Sequence, residues 1–129
     1  MTTTPTYSLF DVTYPDSDGL PMTESDVTRD YLIYSVEALD SYFQAATNVY
    51  VSGNLFIYYE QGNPKAVVAP DVFVVFGVEK KKRLSYKTWE EQSKVPDFIL
   101  EITSKITASE DRGTKRSLYA YLGVKEYFQ

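Results

Sequence analysis

Asp71, Glu101 and Lys115 are the residues of this 129-residue chain whose types and spacing best support chemistry. Asp71 follows Pro70 and heads the apolar run Asp-Val-Phe-Val-Val-Phe, while Glu101 lies inside Asp97-Phe98-Ile99-Leu100-Glu101-Ile102-Thr103. Both runs have the length and the β-branched and aromatic content of buried strands, so a carboxylate in either needs a reason. Neighbouring strands lie about 4.8 Å apart and rise about 3.3 Å per residue, so carboxylates on adjacent strands and the same face can share one cation. Lys115 stands on a predicted helix, at i+4 from Asp111, with Tyr119 continuing that face. If the face packs over the sheet, the lysine can hold a phosphate and a water in line and stabilise developing charge, which is the geometry of metal-assisted hydrolysis.

Two simpler readings compete. Asp97 repeats the Pro-Asp pair of Pro70-Asp71, but it lies four residues from Glu101 on one strand, roughly 13 Å away, and reads as a polar residue at a strand start. A buried pair with a lysine or arginine would account for Glu101, and an intrahelical ion pair with Lys115 accounts for Asp111. Glu101 shares its strand face with Asp97 and Ile99, opposite Phe98, Leu100 and Ile102, a pattern that fits the edge of a site.

Composition narrows the chemistry. Cysteine and histidine are both absent, which excludes disulfides, thiolate zinc sites, cysteine nucleophiles and histidine-dependent triads. A metal here is held by oxygen, which favours magnesium, manganese or calcium. The net charge of -5 conceals an asymmetry: residues 1–60 hold nine acids and one base (-8), residues 61–129 nine acids and twelve bases (+3). The densest basic run, Lys80-Lys81-Lys82-Arg83, suits a phosphate backbone, although such runs are commonly solvated loops. The length fits a single domain over residues 1–129, with 1–22 as an irregular lead. No secretory leader pattern and no membrane-length apolar stretch is present, so a soluble cytoplasmic protein without membrane contact is expected.

The elements that must position these residues follow from patterning. Thr23 and Asp26 have capping-box spacing, and Leu32, Val36, Leu39 and Phe43 recur at helical intervals, predicting a helix over about 24–45. The β-branched and aromatic stretch 49–59, the breaker Gln61-Gly62-Asn63-Pro64 and a second strand from Ala66 to about Val78 predict a β-hairpin, with Pro70 at a bulge or at the second strand's true start. Residues 79–96 carry the basic loop and a short turn that lays Trp89 on the core. A strand at 97–104, a helix at 108–122 capped by Gly123 and the start of another strand at Tyr127-Phe128 complete the order.

In this order these residues resemble the PD-(D/E)XK nuclease superfamily, and more closely the Uma-two family of bacterial restriction endonucleases. The resemblance spans most of the chain and is carried by Tyr50-Val51-Ser52-Gly53-Asn54-Leu55, Ala69-Pro70-Asp71-Val72-Phe73-Val74-Val75, Trp89-Glu90-Glu91, Pro96–Lys105, and the tail with Asp111, Lys115, Tyr119 and Leu122–Phe128. It implies an α/β, restriction-endonuclease-like core: a mixed β-sheet flanked by helices in helix-strand-strand-strand-helix order. It also implies that Asp71 and Glu101 bind Mg²⁺ or Mn²⁺ and that DNA is the substrate. Thr103 stands where the usual superfamily pattern has lysine; many relatives take it from the following helix, where Lys115 matches, and Lys105 is the spare candidate. Family members usually continue into further strands past the Glu-Tyr-Phe segment, so C-terminal strands are expected to be missing. The open sheet edge this leaves leads to the expectation of a homodimer.

The leading expectation is therefore a metal-dependent endonuclease with Asp71, Glu101 and Lys115 as its catalytic set and Lys80, Lys81, Lys82, Arg83 and Lys105 as candidate nucleic-acid contacts. The alternative is a nuclease-fold binding or assembly module without catalysis, which Thr103 and the acidic net charge favour. A phosphate or nucleotide hydrolase on the same scaffold is a third reading, unsupported by any glycine-rich phosphate loop.

Overall fold

The computed structural model describes residues 12–16, 26–102 and 118–128. Helix α1, Asp26–Tyr42, begins the ordered core and matches the helical spacing; Thr23, the other half of the capping box, lies outside the described residues. Among the described residues seven strands follow: β1 Val49–Gly53, β2 Ile57–Tyr58, β3 Val67–Val68, β4 Val72–Phe76, β5 Tyr86–Lys87, β6 Phe98–Leu100 and β7 Glu126–Phe128. They form a four-stranded sheet in the order β1-β4-β6-β7 and a three-stranded sheet in the order β3-β2-β5. In the larger sheet β1, β4 and β6 are antiparallel neighbours, and β7 lies parallel to β6.

The hairpin expected over 49–78 is present, but each of its strands is broken and shared between the two sheets. The break falls at Gly53-Asn54 on one side and Ala69-Pro70-Asp71 on the other. Asn54 adopts a positive φ of 54° and its N–H is shared between the carbonyls of Pro70 and Asp71, at 3.1 and 3.0 Å. Asparagine tolerates that left-handed conformation better than most residues, and Pro70 brings no N–H to a continuing ladder. Both strands therefore turn at the same level. β4 begins at Val72, so Pro70 precedes the strand's true start.

Side-chain alternation gives the larger sheet two distinct faces. On one, Tyr50, Phe73, Val75 and Ile99 pack with Ile57 and Tyr86 of the smaller sheet and with Tyr119 of the helical stretch 118–122. Burial there, with Glu91 nearby, pushes the Tyr86 phenol above its usual pKa, and its hydroxyl donates to the Lys94 carbonyl at 2.8 Å. Helix α1 lies on the other face, where the Phe43 and Phe76 rings meet at 5.6 Å. β5 lies in the loop expected over 79–96, and Trp89 sits in a 3-10 turn, Thr88–Glu90, half-buried against Tyr14.

At Gly53 the sheet lies close against helix α1. A Cβ there would stand 2.7 Å from the Asp71 carbonyl oxygen and 2.8 Å from Val36 Cγ2, shorter than any normal carbon contact. Gly53→Ala is expected to destabilise the fold by about 1–3 kcal/mol through overpacking, read as a lower urea midpoint at unchanged slope.

Candidate metal centre

Asp71 and Glu101 stand one residue beyond the last pair of β4 and β6. The register pairs Val72 with Leu100, Phe73 with Ile99 and Val74 with Phe98, and one further step sets Asp71 opposite Glu101. Directly opposed residues in an antiparallel pair have Cα atoms about 4.5–5.5 Å apart and point to the same face, here the face of Phe73 and Ile99.

Each carboxylate has one oxygen fixed by a hydrogen bond. The Ile102 N–H donates to Asp71 Oδ2 at 2.6 Å, and the Tyr119 hydroxyl donates to Glu101 Oε1 at 2.7 Å. Glu101 is 2% exposed, whereas Asp71 is half-buried. The backbone of Glu101 is held from the far side by its N–H donating to the Phe128 carbonyl at 2.8 Å, so β7 supports the glutamate directly. Two hard oxygen donors on one face suit an oxygen-loving divalent cation. Among the described residues no group of three or more acids gathers into a fuller cage.

The same geometry disposes of Asp97 as a third member. Its Oδ2 accepts the Phe76 N–H at 2.8 Å, and its Oδ1 lies 3.6 Å from Lys125 Nζ. Its backbone is bonded to both neighbours: its N–H donates to the Val74 carbonyl and its carbonyl accepts from Glu126. Asp97 therefore closes the opposite end of the β4-β6 pair. The aspartates of the two Pro-Asp dipeptides do the same work at opposite ends of the pair, Asp97 capping the Phe76 N–H and Asp71 the Ile102 N–H.

The basic run is not next to the carboxylates. It follows the C-terminal end of β4, and Asp71 precedes the N-terminal end, so roughly 17 Å of strand separates them. Arg83 is drawn into the fold with only 7% of its side chain exposed. It pairs with Glu91 at 3.1 Å, donates to the carbonyls of Glu79 and Lys81, and lies 4.3 Å over the Tyr50 ring. Lys80 donates to the Phe43 carbonyl at 3.0 Å, tying the loop to the end of α1, while Lys81 and Lys82 are exposed. Lys115, Asp111, Thr103 and Lys105 lie outside the described residues.

Two participants were not singled out for these roles from the sequence. Tyr119 was placed on the Lys115 face, and the i+4 spacing was the signal that could have assigned its hydroxyl to the carboxylates. No pattern marks the Ile102 N–H, because a backbone donor leaves no trace in residue type.

A mixed α/β fold with paired carboxylates where two antiparallel strands part is consistent with a restriction-endonuclease-like protein. A family model described as "Putative restriction endonuclease" matches residues 21–129, and the chain belongs to that family, Uma2. Proteins of this fold class generally use divalent metals, and the family description supports a nuclease role acting on DNA. No curated protein matches the chain. Among the described residues no helix is long and apolar enough to cross a membrane.

Removing either aspartate side chain leaves a backbone N–H without its acceptor, part-buried at Ile102 and exposed at Phe76, so Asp71→Ala should cost about 1–3 kcal/mol in chemical denaturation and Asp97→Ala about 0.5–1 kcal/mol, with the asparagine variants close to wild type. Arg83→Ala, which leaves Glu91 without its partner, should cost about 3 kcal/mol, against less than about 0.5 kcal/mol for Lys82→Ala.

Proposed function

We propose that this protein is a divalent-metal-dependent endonuclease that hydrolyses phosphodiester bonds of DNA. What supports the reading is the β4-β6 register, which extended by one residue would set Asp71 opposite Glu101, together with the hydrogen bond that each carboxylate accepts. Asp71 and Glu101 would hold Mg²⁺ or Mn²⁺ between them. A bound cation of this kind neutralises charge on the phosphodiester and acidifies water, which carboxylates alone do not do.

The protein's own contribution is positioning. Asp71 is held to the end of β6 by a backbone donor, and Glu101 is held between β7 and the helical stretch 118–122, so neither has to reorganise to receive an ion. Lys115 is assigned to orient the attacking water and the scissile phosphate. What supports that assignment is the sequence: Lys115 precedes Tyr119 by four residues, one helical turn, and Tyr119 is the residue that reaches Glu101. Lys81 and Lys82 would meet the phosphate backbone some distance from the cleaved bond, given their place at the far end of β4.

The test is cleavage of plasmid and single-stranded DNA by purified protein with Mg²⁺ or Mn²⁺, beside Asp71→Asn, Glu101→Gln and Lys115→Ala. Each variant should lose activity on the order of 10²-fold or more, as expected when several kcal/mol of transition-state stabilisation is removed. Cleavage that survives in all three variants would sink the assignment. A wild-type protein that binds DNA without metal-dependent cleavage would instead establish the non-catalytic binding module.

A further inference from the structure

We infer that Tyr119 is a positioning residue for Glu101: its hydroxyl fixes the glutamate carboxylate so that one oxygen is aimed at the cation. The inference rests on the two-carboxylate reading above. Tyr119 and Glu101 are 3% and 2% exposed, and the hydroxyl donates to Glu101 Oε1 at 2.7 Å.

The backbone of Tyr119 is set by the end of its helix. The Val124 N–H donates to the Tyr119 carbonyl at 3.0 Å and the Gly123 N–H to the Ala120 carbonyl at 3.1 Å. Gly123 supports this closure at φ +92°, a conformation that favours glycine. The ring packs in the cluster with Tyr50, Phe73 and Ile99. Phenylalanine would fill that space equally well; what tyrosine adds is a hydroxyl that, once buried, must find an acceptor. The acceptor here is a carboxylate, whose charge makes the bond stronger than a neutral one.

The consequence lies in the last torsion of Glu101. Rotation of a glutamate carboxylate about its terminal bond is broad, so burial alone does not choose where its two oxygens point. A donor fixed on Oε1 chooses. Oε2 then has a defined direction, as a ligand to a small hard cation requires. Asp71 is oriented by the Ile102 N–H, which no substitution of its own side chain removes, whereas the hydroxyl that bonds Glu101 Oε1 is deleted by Tyr119→Phe. Outer-shell hydrogen bonds of this kind typically change metal affinity by roughly 10–100-fold.

The experiment is titration of the full chain with Mn²⁺, without DNA, following the electron paramagnetic resonance signal of free Mn²⁺ for wild type and Tyr119→Phe, with circular dichroism on both. The expected result is roughly 10–100-fold weaker Mn²⁺ binding by a variant that keeps the wild-type spectrum. Equal affinity in the two proteins overturns the positioning role and leaves the carboxylate site standing. Wild type that takes up no Mn²⁺ overturns the site and this role together. A second measurement needs no variant: the Tyr119 hydroxyl proton, protected by burial, should give a resolved downfield resonance that moves when Mg²⁺ is added. A resonance that stays fixed while the Ile102 amide shifts overturns the role even if Tyr119→Phe does not fold.

Discussion

The register between β4 and β6 is the constraint on which the candidate site depends. Side chains alternate strictly along a strand, so a slip of one residue would move Asp71 or Glu101 to the face of α1. Three pairings hold the register, and the neighbours hold the pair: β1 runs along the other edge of β4 with five pairings, and β7 along the other edge of β6 with three. The apolar run 72–75, buried almost completely, makes this an expensive alignment to disturb. Glu101, a charged group at the end of that buried alignment, is tolerable because Tyr119 bonds its carboxylate and the sheet bonds its backbone.

The second determinant is the corner at which both arms of the hairpin leave the larger sheet. Had β4 continued uninterrupted from Ala66, Asp71 would sit in mid-strand with ordinary ladder partners. Instead Pro70 removes a donor, Asn54 turns with positive φ, and Gly53 allows the Asp71 carbonyl to come within reach of both the turn and α1. The arrangement places Asp71 at the last level of the sheet, half-exposed, where its carboxylate can take the N–H of Ile102. The small residue at position 53 and the acidic residue at 71 are thus parts of one piece of geometry.

Much of this was legible in the sequence, for identifiable reasons. Helical periodicity at Leu32, Val36, Leu39 and Phe43 marks α1, and runs of valine and phenylalanine mark β4, because burial writes a period into residue type. The shared face of Asp71 and Glu101 follows from the same parity. The division into two sheets did not show, since Gly53-Asn54 and Ala69-Pro70 read equally well as a bulge in a long hairpin. β5 was missed because a two-residue strand carries no period. The distance of the basic run from Asp71 does not show in the sequence either, because it is β4 that carries the chain away from Asp71 before the lysines begin. Arg83, counted with the lysines as charge, is instead a packing residue over Tyr50 that completes an ion pair with Glu91.

The duplicated Pro-Asp pair shows how local structure and function separate. Asp71 and Asp97 make equivalent bonds at opposite ends of the β4-β6 pair, each capping an N–H that the ladder no longer serves, so capping alone explains both. Capping cannot explain Glu101. Asp97 turns its other oxygen toward Lys125. The residue facing Asp71 is a buried glutamate tied to a buried tyrosine. One end of an almost symmetric strand pair is thus closed by an ion pair, and the other gathers two carboxylates where apolar residues would have packed at lower cost. The difference between the two ends of the strand pair, an ion pair at Asp97 and a buried glutamate beyond Asp71, is what supports the cation site proposed at Asp71 and Glu101.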